Sequence, residues 1–279
     1  MDDLFYSGLL DTGDDLRFLS KFKCYERGND CVHFFQEQRN SAAYKRIRDH
    51  FQLENIAGDK SEISMICNLR QWVYKTFRGQ GEFRDRIDDF WEHPWNILAV
   101  EGEMAKKPFK AECGTMAMIM TEVLLSMGFI SRWVQCLPLD LRPYDTHCVS
   151  HVWSNEYKKW IIVDAAQDVL YFNDDGIPLG LADYRQAIIN KERIWIWSTT
   201  ERRKGREWLK SYWHKNIFRF HCLQYSGISM FSVYDIVHYY LDPVEYEISD
   251  KEYMIGGHKV KHIHTHDDSA FWSSEFLEV

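Results

Sequence analysis

Residues 112–128 read Glu112-Cys113-Gly114-Thr115-Met116-Ala117-Met118-Ile119-Met120-Thr121-Glu122-Val123-Leu124-Leu125-Ser126-Met127-Gly128. Met116, Ile119, Met120, Val123, Leu124 and Met127 fall at the spacing of one helix face. Gly128 follows the last of them and suits the left-handed position that ends a helix. The pattern predicts a helix over residues 113–127 with Cys113 in its first turn. There the unpaired N–H groups and the positive dipole end favour an anion, so a thiol is biased toward the thiolate, the nucleophilic form.

Outward from the helix, residues 129–137 are rich in β-branched and aromatic side chains and read as a strand. Pro138, Pro143 and Asp145 break the pattern. Val149 to Trp153 and Trp160 to Asp164 then read as two more strands, joined through Asn155 to Lys159. A hairpin centred between Tyr157 and Lys158 sets His151 directly opposite Asp164, on one face and within reach. A one-residue slip would separate them. Asp168 is the alternative orienting carboxylate for a different register. Cys113, His151 and Asp164 thus form a candidate set of nucleophile, base and orienting acid. Cys148 lies on the opposite strand face from His151, and Cys136 reads as strand core.

A cysteine opening an apolar helix that ends in Met127-Gly128, a following strand, His151-Val152-Trp153 and then Lys159-Trp160-Ile161-Ile162-Val163-Asp164 resembles the transglutaminase-like superfamily over about residues 60–170. The resemblance implies a papain-like core and acyl transfer through a thioester, with a Cys, His, Asp triad on Cys113, His151 and Asp164. It implies a peptide or protein substrate, and its members include transamidases, cysteine proteases, peptide N-glycanases and inactive scaffolds. The chain departs from the family where Asp164-Ala165-Ala166 replaces the frequent Asp-Pro-Thr, and where Asn155 replaces a frequent Glu. Both departures bear on subfamily and substrate. The tetrahedral oxyanion would take the Cys113 backbone N–H and a second donor such as Trp95 or Asn96.

The 279 residues suit one large domain or two small ones. A net charge of −8 without a basic run argues against nucleic acid and anionic membranes as partners. The acidic start Met1-Asp2-Asp3 and the lack of a long apolar run give a cytoplasmic expectation. The 7 cysteines show no disulfide framework and read as reduced thiols.

The expected class is α+β: a helical N-terminal extension over 1–60, the catalytic core with an antiparallel sheet over 61–180, and a helical, then β-rich C-terminal part over 181–279. In the extension, residues 14–25 and 30–51 read as helical. Ser61 reads as an N-cap to a helix whose stripe of Ile63, Ile66, Val73 and Phe77 is core. Another helix is expected from Pro94 or Trp95 to Met104. Asn173-Asp174-Asp175-Gly176 reads as a plain turn because it lacks the alternating ligands of a calcium loop. Leu181 to Asn190 and Thr200 to Lys215 read as helices. His262, His264 and His266 alternate and would share a strand face, but they match no zinc-ligand spacing, so no metal or other cofactor is assigned. Oligomeric state is not encoded in these patterns.

Overall fold

The computed structural model describes residues 4–6, 19, 21, 25, 32–78, 96–139, 146–199, 213–227, 236–246, 254–255 and 258–279. On the N-terminal side of the site lie α1 (Ala42–Phe51), α2 (Leu53–Ala57), α3 (Glu62–Phe77), α4 (Ile97–Lys106) and α5 (Cys113–Ser126). Three of them begin on side-chain caps: Ser41 accepts from the Tyr44 N–H, Ser61 from Ser64, and Asn96 from Ala99. The α5 helix is buried on nearly every face from Met116 to Ser126, as expected for a helix with protein on all sides. Gly128, at a φ of 89°, turns the chain out of it.

The central sheet consists of β1 (Ser131–Leu137), β2 (His147–Ser154), β3 (Lys159–Val163), β4 (Arg219–Leu223), β5 (His238–Leu241) and β6 (His262–Thr265). Their order is β6-β5-β4-β1-β2-β3. All neighbours are antiparallel except β5 and β6, which run parallel. The C-terminal strands β4 to β6 therefore share one hydrogen-bonded sheet with β1 to β3.

Each sheet face covers its own core. Val152, Ile161 and Val163 pack with α1 to α5. Val134, Cys136, Val149 and Ile162 lie on the other side with α6 (Leu181–Asn190), Trp213 and Phe220. The α5 helix is pinned to β2 by hydrogen bonds from the Thr121 hydroxyl to Ser150 and from Ser150 to the Ala117 carbonyl.

Two local expectations change. Within the stretch read as helical over 30–51, residues 34–36 form a strand between Phe276–Glu278 and Tyr225–Ser226, and the helix starts only at Ala42. Phe34 is buried against Tyr239 and Phe276, so long-range packing overrides the local preference. The β2–β3 hairpin also has a different register. His151 pairs with Ile162 and Ser150 with Val163, two places from the expected alignment. The turn occupies residues 155–158, with Lys158 at a φ of 52°.

The α4 helix begins after Asn96, slightly later than expected. Thr200 to Lys215 lies outside the described residues except for a short helical turn from Trp213, as does most of residues 14–25. The Asn173 to Gly176 turn is closed by the Asn173 side chain accepting from Asp175 and Ile177.

Candidate active site

Cys113 opens α5, and the N-cap Glu112 makes no side-chain cap hydrogen bond. The first-turn N–H groups of α5 therefore point past Cys113 without a capping oxygen from that side chain. The Cys113 thiol lies 3.9 Å from the Thr146 carbonyl oxygen, at the start of β2. The next residue, His147, adjoins Cys113 and favours its thiolate. Its Nε2 is 2.8 Å from Asp164 Oδ2.

Asp164 is held in place by its own surroundings. It exchanges both backbone hydrogen bonds with Val169, and its Oδ1 accepts from the Gln167 N–H. Trp213, fully buried, sets its ring edge-on to His147 at a centroid distance of 4.9 Å. The imidazole and carboxylate are thus shielded from water, which strengthens their attraction.

Electrostatics favour the charged pair. The adjoining Cys148 thiol is the largest influence holding Cys113 well below the usual thiol range. Burial opposes it, and His147 adds to it. For His147 burial is the largest influence and works against the imidazolium. The charge and hydrogen bond of Asp164, with Cys113, outweigh it and push His147 up to about 10.

The expected base, His151, is not in this constellation. The observed register sets Val149 in line with Asp164, leaving His147 and His151 as diagonal neighbours two residues to either side. Asp164 engages His147. His151 lies about 13 Å further along the strand, where its Nε2 accepts the Leu181 N–H at 3.2 Å. It stacks on Trp160 at 5.0 Å and 15°. Burial, then the nearby Arg132 and Lys159 charges, hold His151 well below the usual imidazole range. A neutral ring suits its role as an acceptor at the start of α6. Gly180 allows this approach, since a Cβ there would lie 2.6 Å from the Trp160 carbonyl oxygen and 3.3 Å from His151 Nε2.

Asp168, the alternative orienter, is paired elsewhere. It accepts from the Arg70 Nε at 3.0 Å and from the Thr199 N–H at 3.0 Å. The Asn96 side chain serves the α4 cap, and Trp95 lies outside the described residues. His264 Nδ1 lies 2.6 Å from Asp242 Oδ2, and His266 Nδ1 lies 2.8 Å from the Asp242 carbonyl oxygen. These contacts tie β6 to the end of β5.

One sequence signal pointed to the true register. Trp153 faces Trp160 across the hairpin, with ring centroids 5.8 Å apart. Facing aromatics are a favoured cross-strand pair, and aligning them sets Val149 rather than His151 opposite Asp164.

Residues 50–165 match the model of the transglutaminase-like superfamily. This transglutaminase-like segment runs from the end of α1 to the residue after Asp164, so it contains Cys113, His147, His151 and Asp164. The superfamily's common activity is cysteine-dependent acyl transfer or peptide hydrolysis. No curated protein and no solved structure matches the chain. Among the described residues, no helix is long and apolar enough to cross a membrane.

Proposed function

We propose that the chain is a cysteine-dependent acyl-transfer enzyme, a peptidase or amidase acting on a peptide or protein in the cytoplasm, with Cys113 as nucleophile, His147 as base and Asp164 as orienter. The observation that carries this reading is the 2.8 Å contact between His147 Nε2 and Asp164 Oδ2 next to Cys113, whose thiolate His147 favours.

In the resting pair the proton of Cys113 resides on His147, giving a thiolate beside an imidazolium. The thiolate attacks the amide carbonyl carbon, and the carbonyl π electrons move onto oxygen. The Cys113 backbone N–H, at the positive end of α5, is the donor for that oxyanion. As the tetrahedral centre collapses, His147 gives its proton to the leaving amine, and a thioester remains on Cys113. His147, now neutral, takes a proton from water as the water attacks the thioester, which releases the acid and restores the thiol pair. Asp164 keeps the ring in the tautomer and orientation that serve both transfers.

The test is site-resolved alkylation of Cys113 by limiting iodoacetamide across pH, in the parent, His147→Ala and His151→Ala proteins. The proposal expects fast labelling at pH 6 that is lost in His147→Ala and kept in His151→Ala. Labelling no faster than at an ordinary exposed thiol, unaffected by His147→Ala, overturns it in favour of a silent scaffold.

A further inference from the structure

The proposed acyl transfer leaves one nucleophilic group beside Cys113 without a task. Cys148 follows His147 in β2, and its side chain turns to the opposite strand face, toward α5, with that of Ser150. It is buried, whereas Cys113 is partly exposed. Each thiol is the largest influence on the charge state of the other. A Cβ placed on Gly114, next to Cys113, would lie 4.0 Å from Cys148 Sγ. The two cysteines are therefore brought together across the contact between α5 and β2 rather than by sequence proximity, and both are free.

We propose that Cys113 and Cys148 form a peroxide-reactive pair, in which Cys113 is the oxidised thiol and Cys148 the resolving thiol that captures it as a disulfide. In the first step the Cys113 thiolate attacks one oxygen of hydrogen peroxide. The O–O bond breaks, sulfur loses two electrons and becomes the sulfenic acid, and the other oxygen leaves as hydroxide, which takes a proton to become water. In the second step Cys148 sulfur attacks the Cys113 sulfur. The S–O bond breaks, the hydroxyl leaves as water with the Cys148 proton, and an S–S bond closes.

The surroundings suit that order. Peroxide reaches the exposed member of the pair first, and that member is also the thiolate. Cys148 is kept protonated, pushed well above the usual thiol range first by the adjoining Cys113 and then by burial. Once Cys113 is a neutral sulfenic acid, the neighbouring negative charge that held the Cys148 proton is gone. The disulfide would occupy the nucleophile, so acyl transfer stops until a thiol reductant reopens it, and Cys113 is spared the irreversible sulfinic and sulfonic acids.

This inference rests on the activated Cys113 of the proposed function, so its test separates the two. Full-length protein is treated with stoichiometric hydrogen peroxide, alkylated, and mapped by mass spectrometry without reduction, alongside Cys148→Ser. The expected result is a Cys113–Cys148 linked peptide in the parent, reversed by dithiothreitol with full recovery of Cys113 alkylation. In Cys148→Ser, sulfinic and sulfonic acid at Cys113 should rise at least fivefold, with loss of dithiothreitol recovery. Fast alkylation of Cys113 without the linked peptide, or a bridge from Cys113 to Cys136, overturns the pair and leaves the acyl-transfer reading standing. Slow alkylation of Cys113 at pH 6 in untreated protein overturns the acyl-transfer reading itself.

Discussion

His147 Nε2 sits 2.8 Å from Asp164 Oδ2, while His151, four residues later on the same strand face, spends its Nε2 on the N–H of Leu181. Two histidines of one strand thus have opposite electrostatic fates. The carboxylate raises His147, and burial, Arg132 and Lys159 depress His151.

The pH profile of Cys113 alkylation should reflect the pair. An ordinary thiol loses about tenfold in rate per pH unit below ~8.5. Cys113 is held well below the usual thiol range, so its rate should stay nearly flat from pH 8 to pH 6. Steps that need the His147 proton should fail as pH rises through about 10. Site-resolved mass spectrometry against pH, and turnover once a substrate is found, check the two limbs.

Asp164→Asn should preserve the shape of the site and remove the charge that raises His147. The alkylation profile of Cys113 should move toward the ordinary thiol range, and kcat should fall by about 10²–10⁴. If the profile does not move, Asp164 is not the orienter.

His151→Ala should act on stability and leave thiol reactivity alone. It removes the acceptor of a buried N–H and the ring stacked on Trp160, so a loss of about 1–3 kcal/mol is expected in equilibrium denaturation. The pH sign follows from its depressed folded value. The unfolded chain binds the proton more readily, so the contribution of His151 to stability is present above the ordinary pKa of 6.5 and is lost as pH falls below it.

Glu122 on α5 accepts the Ile97 N–H and is fully buried by its neighbours; burial first of all pushes its carboxyl from 4.5 to about 8. In that window the folded state holds more protons than the unfolded one. Its contribution to stability is therefore complete below about 4.5 and is lost as pH rises toward about 8. Glu122→Gln keeps an acceptor for Ile97 and should flatten this slope, leaving the variant more stable than the parent at pH 8 by about 3 kcal/mol. Urea denaturation at pH 5 and pH 8 measures it, and an equal difference at both pH values would falsify the assignment.

Arg70 and Asp168 form an ion pair with both side chains fully buried. Arg70→Met alone strands a buried carboxylate and should cost about 3–5 kcal/mol. Adding Asp168→Asn should restore part of that loss, because the stranded charge is gone. Asparagine is chosen because Asp168 has a φ of 56°. Cys113 alkylation should be unchanged in both variants.

The parts legible in the chain were those set by local periodicity. Met116 to Met127 announced α5 and its end at Gly128, and that alone placed Cys113 at a helix start. Ser61 announced the α3 cap, and Leu181 to Asn190 the α6 helix. Phe34 to Gln36 was not legible, because three residues carry too little period, and their strand exists only through pairing with Phe276–Glu278 and Tyr225–Ser226. Whether His151 stands directly opposite Asp164 depended on the register of one hairpin. Because side chains alternate with a period of two, a two-residue shift keeps every residue on its face. The faces were therefore read correctly while the partner of Asp164 was not.

Sequence by itself determined that a thiol stands at a helix start with a strand histidine and an aspartate to follow, since helix and strand periods are written in neighbouring residues. Only the tertiary structure decided that His147 takes Asp164, that His151 serves the Leu181 N–H, and that Cys148 lies beside the start of α5. Those outcomes depend on the turn at 155–158 and on how α5 and α6 lie against the two faces of the sheet. Contacts between residues distant in the chain fix both, and no local pattern records them.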